Sequence, residues 1–178
     1  MHKKDITEKA AAFETALQDF LEQIKKVPVN QWHQKPDENS WSVIQVAEHI
    51  FASESGTLGY MMKKSSGGWD TLEITREEQN VNSSELNKRL TSGERYTAPA
   101  ILPQPTNSTT PVEVEQNWKA LRVKFNEFIN GIDPMHYDKL VFRQPAAGML
   151  NILQALDFLT MHLRHHLPQI ERIAAAIK

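Results

Sequence analysis

His162 and His166 stand four residues apart, so on a helix both imidazoles share one face, one turn from each other. That spacing lets two neutral rings reach one divalent ion, as in helical zinc sites. Alone it does not define a site, because an ion needs at least a third ligand. The helical metallopeptidases carry a glutamate directly after the first histidine; here that residue is Leu163, so the peptidase reading fails. The chain has seven histidines and no cysteine, which excludes thiolate ligands, disulfides and cysteine nucleophiles.

A third ligand is available at His49. At about 100° per residue, His49 lies beside Val46, Ile50 and Ser53 and borders an apolar stripe. Gln45, His49, Ser53, Gly56 and Tyr60 form a seam of polar or small residues down that side of the helix. The seam either lines a cavity or faces solvent. Because Ile44, Phe51, Leu58 and Met62 make the opposite side apolar too, the cavity is the favoured reading. Gln45, Ser53 and Tyr60 are then candidates to support the metal ligands or touch a substrate. Glu48 points about 100° away from His49 and reads as a surface carboxylate. Glu54 is either a buried partner or a rim residue. Trp32, Trp41, Met61 and Met62 read as core, whereas His2, His33 and His136 lie in or near loops and face solvent.

These residues must be carried by long helices. Phe13, Leu17, Phe20, Leu21 and Ile24 make one helical face, with Asp5 and Glu8 as a capping box and Pro28 as the stop after Val27. A second helix begins at Ser42, with Gln45 three residues on, and ends at Ser65-Ser66-Gly67-Gly68. The third has Thr110 as cap, Pro111 at its first position and Glu113 completing the box. Its apolar face is Val114, Trp118, Leu121, Phe125 and Phe128 or Ile129, closed by Asn130-Gly131. The fourth starts near Asn151, with Gln154 three on, and reaches Ile177 as one helix bent at Pro168. With His162 at 0°, His166 falls near about 40° and His165 near about 300°. The stripe of Ile152, Ala155, Leu159, Ile170, Ile173 and Ile177 covers roughly 20° to 80°. His162 and His166 therefore face inward, and His165 borders the polar face of Arg164, Glu171 and Arg172.

Between the second and third helices, residues 65–110 show little periodicity, and a structureless loop of that length is unusual inside a domain. Ser84 to Leu90 offers a short helix, and Pro99, Pro103 and Pro105 favour an extended crossing. The segment reads as an external connection, with a partial lid as the alternative. No strand pattern is strong enough to build a sheet.

The length of 178 residues and 40% apolar content suit one domain spanning 1–178. A formal net charge of −2 gives no footprint for nucleic acid. No apolar run approaches a membrane span or a signal peptide, so a cytoplasmic location is expected.

Ser40-Trp41-Ser42-Val43-Ile44-Gln45-Val46-Ala47-Glu48-His49-Ile50 resembles the start of the second helix in the DinB-like superfamily. His162-Leu163-Arg164-His165-His166-Leu167-Pro168-Gln169-Ile170 resembles its last helix. Helix number and order also fit over nearly the whole chain, with the nearest similarity to the YfiT-like metalloproteins. The resemblance implies an all-α four-helix bundle with a long connection between helices two and three. It also implies one divalent metal, commonly zinc or nickel, held by His49, His162 and His166. The implied activities are transfer or isomerisation reactions using a low-molecular-weight thiol such as bacillithiol or mycothiol, or metal-dependent hydrolysis of a small molecule. No protein acid or base is assigned. The reading from another class is a bundle that binds metal or ligand without catalysis. The oligomeric state stays open, with a homodimer as one option because related bundles often pair.

Overall fold

The computed structural model describes residues 3–68, 76–92 and 102–177. His2 and Pro99 lie outside them. The described residues form α1 (Lys3–Lys25), α2 (Val43–Ser66), α3 (Arg76–Thr91), α4 (Pro111–Gly131), a hairpin of β1 (Leu140–Gln144) and β2 (Gly148–Asn151), and α5 (Ile152–Ala176). Three of the helix starts follow from side-chain chemistry at the cap. Ser42, Thr110 and Asn151 each accept the backbone N–H three residues on, and Gln45, Glu113 and Gln154 reach back to the cap N–H. Each reciprocal pair satisfies two donors that the first turn leaves without partners. At α1 the expectation differs from the structure: the helix already runs from Lys3, so Asp5 sits inside the first turn. A carboxylate there still opposes the positive end of the helix dipole.

The mostly helical architecture agrees with the sequence, but two elements do not. α3 is a 16-residue helix, longer than the Ser84–Leu90 segment expected. It packs on α5 and β2, burying Leu86, Gln79 and Ser83. Its last turn is tied down by His165, whose Nδ1 lies 2.8 Å from the Leu90 carbonyl oxygen. The second addition is the antiparallel hairpin, whose strands pair Phe142 with Leu150 and Gln144 with Gly148. Gly148 takes a positive φ of 71° as the chain turns into β2, a conformation that glycine adopts without strain.

α1 packs along α5, and α2 packs on both α4 and α5. Phe13, Leu17, Phe20 and Ile24 bury one face of α1, while Val114, Trp118, Leu121, Phe125 and Ile129 bury one face of α4. The two faces meet where Phe13 contacts Phe125 and Phe20 contacts Trp118, at 5.1 and 5.9 Å between centroids. Met61 is in this core, but Met62 is 42% exposed, which corrects its assignment. α5 continues unbroken through Pro168. No helix among the described residues is long and apolar enough to cross a membrane.

Glu48 is not a free surface carboxylate. It accepts the backbone N–H groups of Asn107, Ser108 and Thr109 at 2.8 to 3.0 Å, and the Thr109 hydroxyl at 2.9 Å. Burial acts to raise its pKa, but the bonds from Thr109, Asn107 and Ser108 outweigh it and hold the carboxyl below its ordinary value. Asn107, at φ 62°, turns the chain so that these N–H groups converge. Gln45 donates to the Pro105 carbonyl at 3.3 Å, and the Ser42 hydroxyl bonds to Asn107. Residues 105–109 thus form a strap across the first turns of α2. Glu48→Ala should cost about 2 kcal/mol, in the range for hydrogen bonds to a charged group. Hydrogen exchange should show the amides of 107–109 losing protection; unchanged protection would refute the strap.

Candidate metal centre

Helical phase delivers the three histidines to one point. His49 projects from α2 and His162 and His166 from successive turns of α5, and all three are 5% to 9% exposed. The Nε2 atom of His162 lies 3.2 Å from that of His49 and 3.2 Å from that of His166. All three ligand atoms fall within 4.8 Å of one another. Aromatic rings close in around them. Phe158 stacks on His162 at 5.4 Å and 14°, Phe142 backs Phe158 at 5.9 Å, and Trp41 tilts against His49 at 5.2 Å. Trp41 is partly buried and packs against the core as expected, and its ring also walls the site. Trp32 is a core residue, with its indole N–H donated to the Val27 carbonyl.

Burial in this apolar setting disfavours the charged imidazolium. It pushes His49 down to about 4, with His165 adding repulsion. It pushes His166 down to about 3, helped by His49 and His165 and opposed by Gln169. His162 is driven well below its ordinary value by burial, then by His166, His49 and His165. Among the described residues, every charge acting on the three is another histidine. Among the described residues no carboxylate joins the cluster.

The donor set fits a divalent cation. Two nitrogens on one tetrahedral zinc, each at about 2.0–2.1 Å, are themselves about 3.3–3.4 Å apart, close to both 3.2 Å separations. Without a cation, His162 Nε2 would have to serve two nitrogen neighbours at once with a single proton or a single lone pair. The outer nitrogens differ. His166 Nδ1 lies 2.7 Å from Gln169 Oε1, whereas His49 Nδ1 is buried with no hydrogen-bond partner among the described residues.

The structure places the other singled-out residues variously. Ser53 is buried one turn beyond His49. Gln45 is occupied by the α2 cap and Pro105. Tyr60 is 37% exposed and packs on Phe142, three turns along α2 from His49. Glu54 is the buried partner rather than a rim residue: it pairs with Arg122 and accepts the Trp118 indole N–H at 2.9 Å. His33 is exposed, with Nε2 3.1 Å from the Thr109 carbonyl, and His136 is half-buried in a 3-10 turn. His165 points to Leu90 and not into the cluster. Gln169 had no role assigned from sequence, although its i+3 spacing from His166 is a usable signal.

A profile of the DinB superfamily matches residues 12–170, which include all three clustered histidines. No curated protein and no solved structure matches the chain.

Proposed function

Because the chain belongs to the DinB superfamily, we propose that it is a metalloenzyme of the YfiT-like kind. In this reading a single four-helix-bundle domain holds one divalent ion, zinc or nickel, through His49, His162 and His166. The observation that carries it is the convergence of three buried Nε2 atoms with two separations of 3.2 Å. A divalent ion there would ionise a thiol or acidify a water molecule.

Of these two chemistries the surroundings favour the thiol. Amide hydrolysis needs a group that hands a proton to the departing amine, and no carboxylate joins the cluster among the described residues. Thiol transfer makes a smaller demand. The thiol proton leaves to solvent, the sulfur lone pair forms the bond to an electrophilic carbon, and the leaving group departs with its electrons. The protein's part is to keep water away and hold the reactants, for which Trp41 and Phe158 offer flat apolar walls beside His49 and His162.

The test is metal content by mass spectrometry, with and without His49→Ala, together with conjugation of bacillithiol to monochlorobimane. Stoichiometric metal and conjugation, both lost in His49→Ala, support the proposal. Metal retained with no turnover of this pair or of simple ester and amide substrates identifies a binding module instead.

Acid should dismantle the site. Imidazoles that titrate at about 4 (His49) and about 3 (His166) in the fold return to about 6.5 in the unfolded chain. Below that value the unfolded chain binds more protons than the folded one. Stability is therefore complete above about pH 6.5 and is lost progressively as pH falls toward 4 and 3. His49 alone accounts for a loss on the order of 3 kcal/mol. Metal leaves at the lower end of that window, because in the fold protons compete for the nitrogens only as pH falls through about 4 and 3. Urea midpoints of the metal-free protein at about pH 7.5 and 4.5, and metal content after gel filtration from about pH 5 down to about pH 2.5, check both statements. Full metal retention at about pH 2.5, below the values at which His49 and His166 titrate, contradicts an all-histidine site.

A further inference from the structure

An imidazole can offer Nε2 to a metal only when its proton sits on Nδ1. The three clustered rings differ in what enforces this. His166 Nδ1 faces Gln169 Oε1 at 2.7 Å, one turn further along α5. An amide oxygen accepts and cannot donate, so this contact requires the proton on Nδ1 and leaves Nε2 as a lone pair. That lone pair lies on the side where His162 Nε2 approaches to 3.2 Å. The bond also fixes ring rotation, because Gln169 and His166 share one helix and are separated only by Leu167 and Pro168. His49 Nδ1 has no such partner.

We propose that Gln169 is a positioning residue that fixes His166 as its Nδ1–H tautomer and so presents Nε2 to the cluster. This inference rests on the metal-binding reading for its use, but its first consequence is visible in protein without metal. Outer partners of metal-bound histidines are worth roughly 10- to 100-fold in metal affinity, which sets the scale expected here.

The experiment uses the full chain labelled with 15N at histidine, metal-free and then titrated with zinc against a competing chelator. Two-bond 15N–1H correlation in the metal-free wild type should show His166 with a protonated Nδ1 and an unprotonated Nε2. Gln169→Leu removes the acceptor at similar size and should bring in the Nε2–H form and weaken zinc binding about 10- to 100-fold. Gln169→Glu keeps an acceptor and should retain the wild-type tautomer and bind zinc within about threefold or more tightly. An Nε2–H reading in wild type overturns the proposal, and that measurement needs no variant to fold. Unchanged tautomer or unchanged zinc affinity in Gln169→Leu also overturns it. If the tautomers behave as expected but wild type binds no zinc, the metal reading falls while the tautomer assignment to Gln169 stands.

Discussion

Replacing His162 by alanine should remove the proposed tight binding of divalent metal, with affinity falling by more than about 100-fold, the upper end for mere outer partners. His162 is the shared vertex of the cluster, since both 3.2 Å contacts end on its Nε2. Its loss removes the one nitrogen that both contacts share. His165→Ala is the control and should keep affinity within a few-fold, because its Nδ1 is engaged with the Leu90 carbonyl. Competition titrations with a chromophoric chelator measure both variants, with circular dichroism to confirm helix content. Metal lost in His165→Ala and kept in His166→Ala would assign the ligand pair to His162 and His165, contrary to the geometry.

The largest expected effect on stability lies away from the histidines. Glu54 is 2% exposed and pairs with Arg122, whose side chain is 12% exposed. Arg122 also reaches toward Glu14 at 3.6 Å and lies over the rings of Phe13 and Phe125 at 4.8 and 4.6 Å. Arg122→Met strands a buried carboxylate with the Trp118 N–H as its remaining donor, and should cost about 3–5 kcal/mol. The double variant Glu54→Leu, Arg122→Met removes both charges and should recover most of that loss, since an apolar pair of similar volume replaces a desolvated one. Urea unfolding of the two variants decides the matter. A single variant within about 1 kcal/mol of wild type would show that water reaches the pair and screens it.

The long apolar helices and their caps were legible because their signals are local. Ser42 with Gln45, Thr110 with Glu113 and Asn151 with Gln154 need only three residues of sequence to be read. The inward phase of His162 and His166 needed only the stripe from Ile152 to Ile173. α3 was mostly hidden, since apart from Leu86 the side chains it buries include the polar Gln79 and Ser83, which leave no apolar period. The hairpin was hidden for the opposite reason: Leu140, Val141, Phe142 and Gln144 are all buried, so β1 lacks the alternation that marks a half-exposed strand. Glu48 and Gln169 illustrate a further limit. The partners of Glu48 lie about sixty residues away, and an isolated glutamine three residues after a histidine is common in helices. Glu48 gives no local signal of its contacts, and the i+3 spacing of Gln169 from His166 is a signal too common in helices to settle a partner on its own.

The strap at 105–109 grips α2 beside the histidine cluster, and the grip has a mechanical meaning. Glu48 and His49 are neighbours on α2, so their side chains leave the helix axis about 100° apart. One is held by the backbone of Asn107, Ser108 and Thr109, and the other meets α5 at His162. A helix held at two points around its circumference cannot roll about its own axis. Rolling α2 by even a fraction of a turn would swing His49 Nε2 out of register with His162, and it would first have to tear the carboxylate from three amides. The chain that leads into α4 therefore acts as a torque stop, setting the rotational angle at which α2 delivers His49 to the cluster.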